Sequence, residues 1–396
     1  MSKNFLQIHP NDNILAALQD MKKDFVVEFE GKSFPLRNNV SAKHKFALQE
    51  FKVGDPILMY GALIGKATKP IAQGESITID NVVHASADYN VGEQQSHWVA
   101  PDISKWKNST FNGYHRADGS VGTANHWLVI PMVFCENRNV NVLRSTLLSA
   151  LGYETAKDYI IDTEVLVSQY KKGASAEEMM ASPLIKTAED IKQNRTFPNV
   201  DGIKFLTHDG GCGCDRGDSD TLCNLLAGYI TNPNVAGATI LSLGCQNAEV
   251  KILEAAIAKR DPNFSKPLHI LEQQKSKSER HFIEEAVKKT FLGLIEANKV
   301  TRQPAPLSKL VLGLECGGSD GFSGISANPA LGYASDLIVA LGGATVLSEF
   351  PELNGVEQEL INRCEAPENA EKFASIMRAY SAKAVSIGSG FENNPS

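Results

Sequence analysis

From residue 1 to about 87, short apolar runs such as DFVVEFE and SITIDNVV are broken by glycine, asparagine and Asp-Pro. Polarity alternates within these runs with a period of two, which predicts half-buried β-strands joined by tight turns. Residues 13–22 differ, because Ile14, Leu15, Leu18 and Met21 recur at helical intervals behind Asp12, a cap residue. The pattern therefore predicts a small β domain with one early helix.

From residue 113 onward, apolar runs alternate with helical stretches. Strands are predicted at 126–134, 202–208, 237–244, 267–273, 309–315 and 344–350, and helices at 222–230, 249–259 and 279–298. Apolar strands separated by helices are typical of a doubly wound α/β sheet that is covered on both faces. Residues 152–200 form a polar insertion that is predicted to be mostly helical.

The predicted fold class is thus α/β, with a small amino-terminal β domain before a doubly wound α/β portion. The predicted segments are a β domain at 1–87, a linker at 88–112, an α/β domain at 113–303 and a second α/β portion at 304–396. The linker contains Trp98 and Trp106 among polar residues, and we expect it to lie against a domain surface, where indoles can be buried.

Composition and charge narrow the class of partner. The chain has 396 residues, of which 42% are hydrophobic, and this is enough for two or three packed domains. A net charge of -7 gives no general attraction to nucleic acid or to an anionic membrane. The sequence has no long apolar run that would cross a membrane and no secretory signal at its start, so a cytoplasmic location is expected. The sequence does not determine the oligomeric state, and a homodimer is one option.

Four of the seven cysteines follow predicted strands, namely Cys135, Cys212, Cys245 and Cys316. The carboxyl ends of strands in an open α/β sheet share the edge where ligands bind, so these thiols are candidates for one site. Their softness favours iron, zinc or an iron-sulfur cluster over magnesium or calcium. The alternative is structural, because a free cysteine often fills space as a small buried hydrophobe.

Two glycine-rich loops carry most of the polar chemistry. The first, at 207–218, combines His208, three aspartates and Arg216 with four glycines between a strand and a helix. The second, at 315–329, places glycines and serines ahead of a helix and is suited to hold a carboxylate or hydroxyl groups. It has neither the Gly-Lys-Ser/Thr ending of a phosphate loop nor the spacing of a dinucleotide fingerprint. Either loop could also be an ordinary turn.

The segment CGGSDGFSGISANPALG (316–332) resembles the signature of the altronate and galactarate dehydratases, the sugar-acid dehydratase family. Further segments agree in the same order along the chain: AKHKFAL, YGALIGKA, GYHRADGSVGTAN, HDGGCG, LGCQN and SEFPELNGVEQEL. The resemblance implies an amino-terminal SAF-type β domain and the loss of water from an aldonate or aldarate. D-altronate, giving 2-keto-3-deoxy-D-gluconate, is the expected substrate, with galactarate or a related hydroxy acid as the alternative.

The resemblance also implies a divalent metal, Fe²⁺ or alternatively Mn²⁺, with an iron-sulfur cluster as a further option, and its cysteine positions match the four strand-end thiols. His208 is the first candidate base or metal ligand, His44 the second, and Glu349 a further acid. Arg216 is the candidate carboxylate clamp. Candidates for the remaining substrate contacts are Gly317, Gly318, Ser319, Asp320, Ser323 and Asn328.

Two departures from the family pattern are visible. The family's His-x-His-Asn motif is replaced by Thr78-Ile79-Asp80-Asn81, which leaves Asp80 as the only substitute for that pair. The family also continues beyond the last residues of this chain, so a truncated chain is expected. Two other functions therefore stay open, a sugar-acid-binding fragment without catalysis and an electron carrier that holds an iron-sulfur cluster.

Overall fold

A computed structural model describes residues 4–92, 98–154, 159–187, 195–213, 215–315, 317 and 321–390. The chain divides into two compact units. One unit combines residues 1–108 with 310–396, and the other contains 109–309. The amino-terminal β domain and the carboxyl-terminal segment thus belong to the same unit, although about two hundred residues separate them in sequence.

The amino-terminal domain is built from short antiparallel strands. They form a four-stranded sheet (β1-β2-β5-β8), a three-stranded sheet (β6-β7-β9) and a hairpin (β3-β4). Their bounds are β1 Phe5–Leu6, β2 Ile14–Ala17, β3 Val26–Phe29, β4 Lys32–Pro35, β5 Lys45–Ala47, β6 Pro56–Met59, β7 Ala62–Ala67, β8 Ser76–Ile77 and β9 Val82–His84.

The predicted early helix at 13–22 is wrong, because β2 occupies its first half. All four residues of β2 are buried, and they alternate between two separate hydrophobic clusters. Ile14 and Ala16 pack with Ile57 and its neighbours, whereas Leu15 and Ala17 pack with Phe34 and its neighbours. A strand that is buried on both faces has no polar face, so its sequence can be mistaken for one side of a helix.

The carboxyl-terminal part of this unit contains two parallel strands and three helices. These are β19 Val311–Leu314, β20 Ala344–Leu347, α7 Ala327–Ala340, α8 Glu357–Asn362 and α9 Pro367–Ser386. Two residues of the segment that follows the β domain contact these helices. The Trp98 indole donates to Asp336 at 2.9 Å, and the Arg378 guanidinium lies over the Tyr89 ring.

The second unit is centred on a parallel sheet in the order β15-β12-β16-β17. Its strands are β12 His126–Pro131, β15 Gly202–Phe205, β16 Val235–Ser242 and β17 Leu268–Glu272. A smaller antiparallel sheet joins β10 Thr110–His115, β11 Val121–Gly122 and β18 Gln303–Pro306. All eight residues of β16 are buried, since this strand is central and is covered on both faces.

Helices cover both faces of the parallel sheet. On one face α1 and α6 form a core around Trp127, and on the other α4 and α5 form a core around Ile240. This arrangement confirms the α/β class. The bounds are α1 Asn137–Leu151, α4 Arg216–Thr231, α5 Val250–Arg260 and α6 Glu279–Asn298, the last with the predicted bounds.

The insertion after α1 is only partly helical. Its described residues contain α2 Glu164–Lys171 and α3 Ala176–Met180, which lie between the strands β13 Tyr159–Ile161 and β14 Ile185–Thr187. These strands form an antiparallel pair across more than twenty residues, and local periodicity does not reveal such a distant pairing. Within the described ranges, no helix has the length and the apolar character needed to cross a bilayer.

Candidate functional site

Three of the four predicted thiols follow strands of the parallel sheet in the second unit. Cys135 lies after β12 and Cys245 after β16, and both are exposed; Cys212 lies after β15 and is half-buried. Cys316 lies outside the described residues. The strand before it, β19, pairs with β20 in a separate two-stranded sheet, so the expectation of one sheet that carries all four is wrong.

The thiols do not assemble a metal centre within the part of the chain that the structure describes. Among those residues, no three His, Cys, Asp or Glu side chains are grouped closely enough to hold a metal ion. The donor types suit iron or zinc, but the grouping that either ion requires is not formed there.

His208 anchors the first glycine-rich loop. Its Nε2 lies 2.8 Å from the Pro131 carbonyl oxygen, and its Nδ1 accepts a hydrogen bond from the Gly210 N–H at 3.2 Å. This pattern assigns the neutral tautomer with the proton on Nε2, because a carbonyl oxygen can only accept. Both ring nitrogens are thus used by the backbone, which ties the loop to the end of β12.

Gly211 brings the same loop into close contact with the neighbouring strand ends. It has φ +99, and a Cβ at this position would lie 2.3 Å from the Met132 carbonyl oxygen. Its own carbonyl accepts from the Ala248 N–H at 3.1 Å, and the Asn247 side chain donates to the Cys212 carbonyl at 2.7 Å. Only glycine meets both the steric and the conformational requirement here.

Arg216, the predicted carboxylate clamp, is exposed at the start of α4. Its guanidinium donates to the Asn247 carbonyl at 3.1 Å and to Glu249 at 3.3 Å. Hydrogen bonds from Lys251 and Arg216 hold the pKa of the Glu249 carboxyl below its usual range. The clamp role stays a prediction; in this arrangement Arg216 links the two loops that follow β15 and β16.

A cavity of about 200 Å³ opens beside these loops, at the ends of β16 and β17. It is lined by Ser242, Gly244, Gln246, Glu249, Val250, Lys251 and Glu272. Gly244 has φ +114, and an oxygen of each of the Glu272 and Gln274 side chains lies 2.9 Å from where its Cβ would be. The cavity has the position that ligands take in open α/β sheets.

Sequence reasoning missed Glu136, a buried carboxyl next to Cys135. Burial raises the pKa of this group, with nearby Glu279 adding to the shift, although a hydrogen bond from Asn139 at 2.8 Å opposes it. Its Oε1 atom is buried without a hydrogen-bond partner. The only signal was its place one residue beyond a strand-end thiol, which does not distinguish a buried carboxyl from an exposed one.

The second glycine-rich loop belongs to the other unit and begins directly after β19. Gly317 is described, whereas Gly318, Ser319 and Asp320 lie outside the described residues. Ser323 begins a 3₁₀ turn that ends at Ile325, and Asn328 lies in the first turn of α7. Ile325 packs against the core of the amino-terminal β domain, which fixes the loop on that domain.

Two residues of the β domain, Lys43 and Tyr60, contact this loop. A Cβ on Gly321 would lie 2.8 Å from the Lys43 Cβ, and a Cβ on Gly324 would lie 2.4 Å from the Tyr60 hydroxyl. Neither residue is among the candidates predicted from the sequence, although Lys43 directly precedes the candidate His44. The close approach of glycine to a distant residue is visible only in three dimensions.

Glu349 follows β20 and has φ +58 in an exposed position. Repulsion from Glu352 and, to a lesser degree, from Glu315 raises the pKa of its carboxyl. Glu315 is the first residue of the glycine-rich loop, so Glu349 lies close to the start of that loop. A carboxyl with a raised pKa retains a proton more readily, as a general acid must.

His44 is exposed in the turn before β5. Its backbone is fixed, because its carbonyl accepts from the Ala17 N–H at 2.9 Å and its N–H donates to Ser41. Asp80, the proposed substitute for the family's histidine pair, is exposed in a turn where Asn81 accepts from the Thr78 N–H at 2.8 Å. Asn81 also joins this turn to its surroundings, because its side chain donates to the Ser76 carbonyl at 2.9 Å and its carbonyl accepts from the Thr68 N–H at 2.8 Å.

Comparison with known proteins gives a consistent result along the whole chain. Family models match the altronate/galactarate dehydratase SAF domain at 3–85, the D-galactarate dehydratase/altronate hydrolase second domain at 113–298 and the D-galactarate/altronate dehydratase carboxyl-terminal region at 307–396.

Curated relatives agree with these models. Altronate dehydratase of Bacillus subtilis (strain 168) is 31% identical over 395 residues, which cover 100% of this chain and 69% of that protein. Altronate dehydratase of Escherichia coli (strain K12) is 27% identical, with 99% and 69% covered. Galactarate dehydratase (L-threo-forming) of the same organism is 26% identical, with 95% and 65% covered.

These matches define the class of protein as a hydro-lyase that acts on sugar acids, as the sequence motifs predict. The chain belongs to the altronate/galactarate dehydratase family. The amino-terminal β domain is accordingly of the SAF type.

Proposed function

We propose that the chain dehydrates D-altronate to 2-keto-3-deoxy-D-gluconate. The support is the likeness to altronate dehydratases over the full length of the chain. The reaction removes a proton from C2, beside a carboxylate, and expels the hydroxyl group from C3 as water. Negative charge accumulates during both steps, so the site must supply a base, an acid for the leaving hydroxyl and a partner for the carboxylate.

The observation that carries this proposal is the second glycine-rich loop, which is held between the SAF-type domain and the ends of β19 and β20. Its residues 321–324 contact Lys43 and Tyr60, and Glu349 lies beside its first residue, Glu315. Hydroxyl and amide groups of Ser323 and Asn328 are suited to the substrate hydroxyls. Cationic, acidic and neutral polar groups therefore occur along one loop.

His44 is the better of the two candidate bases in this arrangement. Both nitrogens of His208 are used by the backbone, whereas no hydrogen bond to the His44 ring is found among the described residues. A base must approach the C2 proton, and the exposed His44 ring is accessible to a substrate. Glu349 is the candidate donor of a proton to the leaving hydroxyl.

Fe²⁺, or alternatively Mn²⁺, is the cofactor we propose, on the basis of the family resemblance. Elemental analysis of protein purified without oxygen tests this directly. Alkylation provides a second test that does not depend on activity, because a metal bound at Cys135, Cys212 or Cys245 would protect the thiol that binds it. The control is Cys364, a half-buried thiol in the other unit, whose alkylation should not change. Equal alkylation of all thiols with and without metal would contradict metal binding at these cysteines.

A substrate panel tests the reaction itself. D-altronate, galactarate and a sulfonated hydroxy acid are each incubated with the full chain and Fe²⁺ or Mn²⁺, and the keto acid is measured. We expect D-altronate to react fastest. Failure to form a keto acid from any of the three would contradict the proposed activity, and faster reaction of galactarate would reassign the substrate.

A further inference from the structure

Lys43 occupies a strained position that its contacts enforce. It has φ +75, a conformation that costs a non-glycine residue on the order of 1–2 kcal/mol. Its N–H donates to the Ala17 carbonyl at 2.8 Å, and its Cβ fills the space beside Gly321. The side chain is thereby directed onto the glycine-rich loop instead of into solvent.

The ammonium group of Lys43 lies over the Phe322 ring, 5.2 Å from its centroid. Lys43 is half-buried, so part of its hydration is replaced by an aromatic face. A cation in such a setting binds an anion more strongly than a fully hydrated lysine does, because the local dielectric is lower. This is the environment expected of a carboxylate-binding group.

Tyr60 contacts the same loop three residues further along. It is the first residue of the two-residue turn between β6 and β7, where it has φ +59, and its hydroxyl lies beside Gly324. Burial and the nearby Asp12 carboxylate raise the pKa of the phenol, so the hydroxyl keeps its proton and can donate a hydrogen bond. A hydrogen bond to Asp12 fixes the turn, since the Gly61 N–H donates to the Asp12 carboxylate at 2.8 Å.

Strained backbone is concentrated around this loop. Among the described residues, five non-glycine positions have positive φ, and three of them, Lys43, Tyr60 and Glu349, flank the loop. Strain of this kind persists where the surrounding structure enforces it, and it clusters at ligand sites. The two other positions, Asp24 and Glu30, lie in turns of the SAF-type domain.

We propose that Lys43 and Tyr60 of the SAF-type domain, together with residues 321–324, bind the carboxylate end of the sugar acid, and that Lys43 provides the cation. This inference rests on the proposed function and replaces Arg216 as the carboxylate partner. It also orients the substrate, because Glu315 and Glu352, the carboxylates beside Glu349, repel the anionic end. The hydroxyl-bearing chain then extends toward these carboxyl groups.

The test is calorimetric binding of D-altronate and of its uncharged analogue D-altritol to the full chain. We expect Lys43→Met to weaken D-altronate binding about 10- to 100-fold, the range for a lost charge-assisted hydrogen bond, and to leave D-altritol binding nearly unchanged. Lys43→Arg should retain most of the affinity for the anion. The matched control is Lys45→Met, which removes a half-buried lysine two residues away and should not alter the preference for the anion.

A second variant separates binding from folding. Lys43→Gly should raise the stability, because glycine adopts φ +75 without strain, while it weakens D-altronate binding as much as Lys43→Met does. Unchanged D-altronate affinity in either variant would overturn the role of Lys43 as the carboxylate partner. The proposed function would not be affected by that result, since the wild-type chain would still bind the acid. If the wild-type chain bound neither the acid nor the analogue, the proposed function itself would fail, and this inference with it.

Discussion

The cysteine-bearing edge of the parallel sheet and the glycine-rich loop of the other unit use their polar groups in opposite ways. At the sheet edge, both ring nitrogens of His208 contact the backbone, and the exposed Arg216 donates to the Asn247 carbonyl and to Glu249. At the loop, His44 is exposed and Lys43 is held in a strained conformation over an aromatic ring. A ring whose two nitrogens contact the backbone serves a scaffold, whereas an exposed ring or a side chain that is directed onto a loop can reach a substrate.

The glycines of the two regions also differ in the kind of group that lies close to them. Gly211 is required because main chain approaches main chain, at the Met132 carbonyl. Gly321 and Gly324 are approached instead by side chains of a distant segment, Lys43 and Tyr60. A glycine of the first kind determines the fold of a loop, and one of the second kind admits a functional side chain.

Replacement of His44 and of His208 tests the contrast between the two regions, and it has the largest expected effect on turnover. His44→Asn should reduce turnover of D-altronate about 10²- to 10⁴-fold, the usual loss when a general base is removed, with little change in stability. His208→Asn should instead lower the free energy of unfolding by about 1–3 kcal/mol, because buried backbone groups lose their partner. Turnover and urea unfolding are measured on both variants. The opposite result, with turnover lost only at His208 and stability unchanged, would show that the sheet edge is catalytic.

Gly211→Ala tests the scaffold role of the sheet edge. The added Cβ would meet the Met132 carbonyl at 2.3 Å in a backbone conformation that disfavours alanine, so we expect a loss of roughly 3 kcal/mol or more in urea unfolding. Gly213→Ala is the matched control, since nothing lies within 4 Å of its Cβ position. Similar stability of the two variants would mean that the loop is not held against β12.

The pH dependence of stability tests the buried carboxyl of Glu136. Burial raises its pKa in the folded state, so the folded chain binds more protons than the unfolded chain, and stability falls as pH rises between the two values. Glu136→Gln removes this fall. We expect its stability relative to wild type to increase as pH rises from about 4 to about 8, by about 1.4 kcal/mol for each unit of pKa shift. A difference that is constant over this range would contradict the raised pKa.

Substitutions in two hairpin turns have the smallest expected effect, and they compare a turn at the proposed site with a turn that has no proposed role. Glu30 and Tyr60 each begin a two-residue turn in which both residues have positive φ, a geometry that favours Asn-Gly. Glu30→Asn should raise the free energy of unfolding by about 0.5–1 kcal/mol and leave D-altronate binding unchanged. Tyr60→Asn should gain less stability and bind D-altronate more weakly, because it loses its contact with the loop. Equal binding by both variants would exclude Tyr60 from the site.

The chemical class and the main elements were accessible from the sequence, since both depend on local patterns. The helix Glu279–Asn298 has its predicted bounds, and the thiols at 135, 212 and 245 follow strands as expected. The strand Ile14–Ala17 was mistaken for a helix because its residues are buried in two cores, and a local window cannot show two cores. Glu136 was missed for a related reason, since burial of a single carboxyl leaves no periodic signal.

The amino-acid sequence by itself determined the family, the α/β class and the two glycine-rich loops, because motifs and periodicity are properties of neighbouring residues. Only the tertiary structure decided that β19 pairs with β20 outside the parallel sheet, that the His208 ring is occupied, and that Lys43 contacts residue 321. Those facts depend on contacts between segments up to about 280 residues apart along the chain. Packing and hydrogen-bond geometry select such contacts, and no local pattern encodes them.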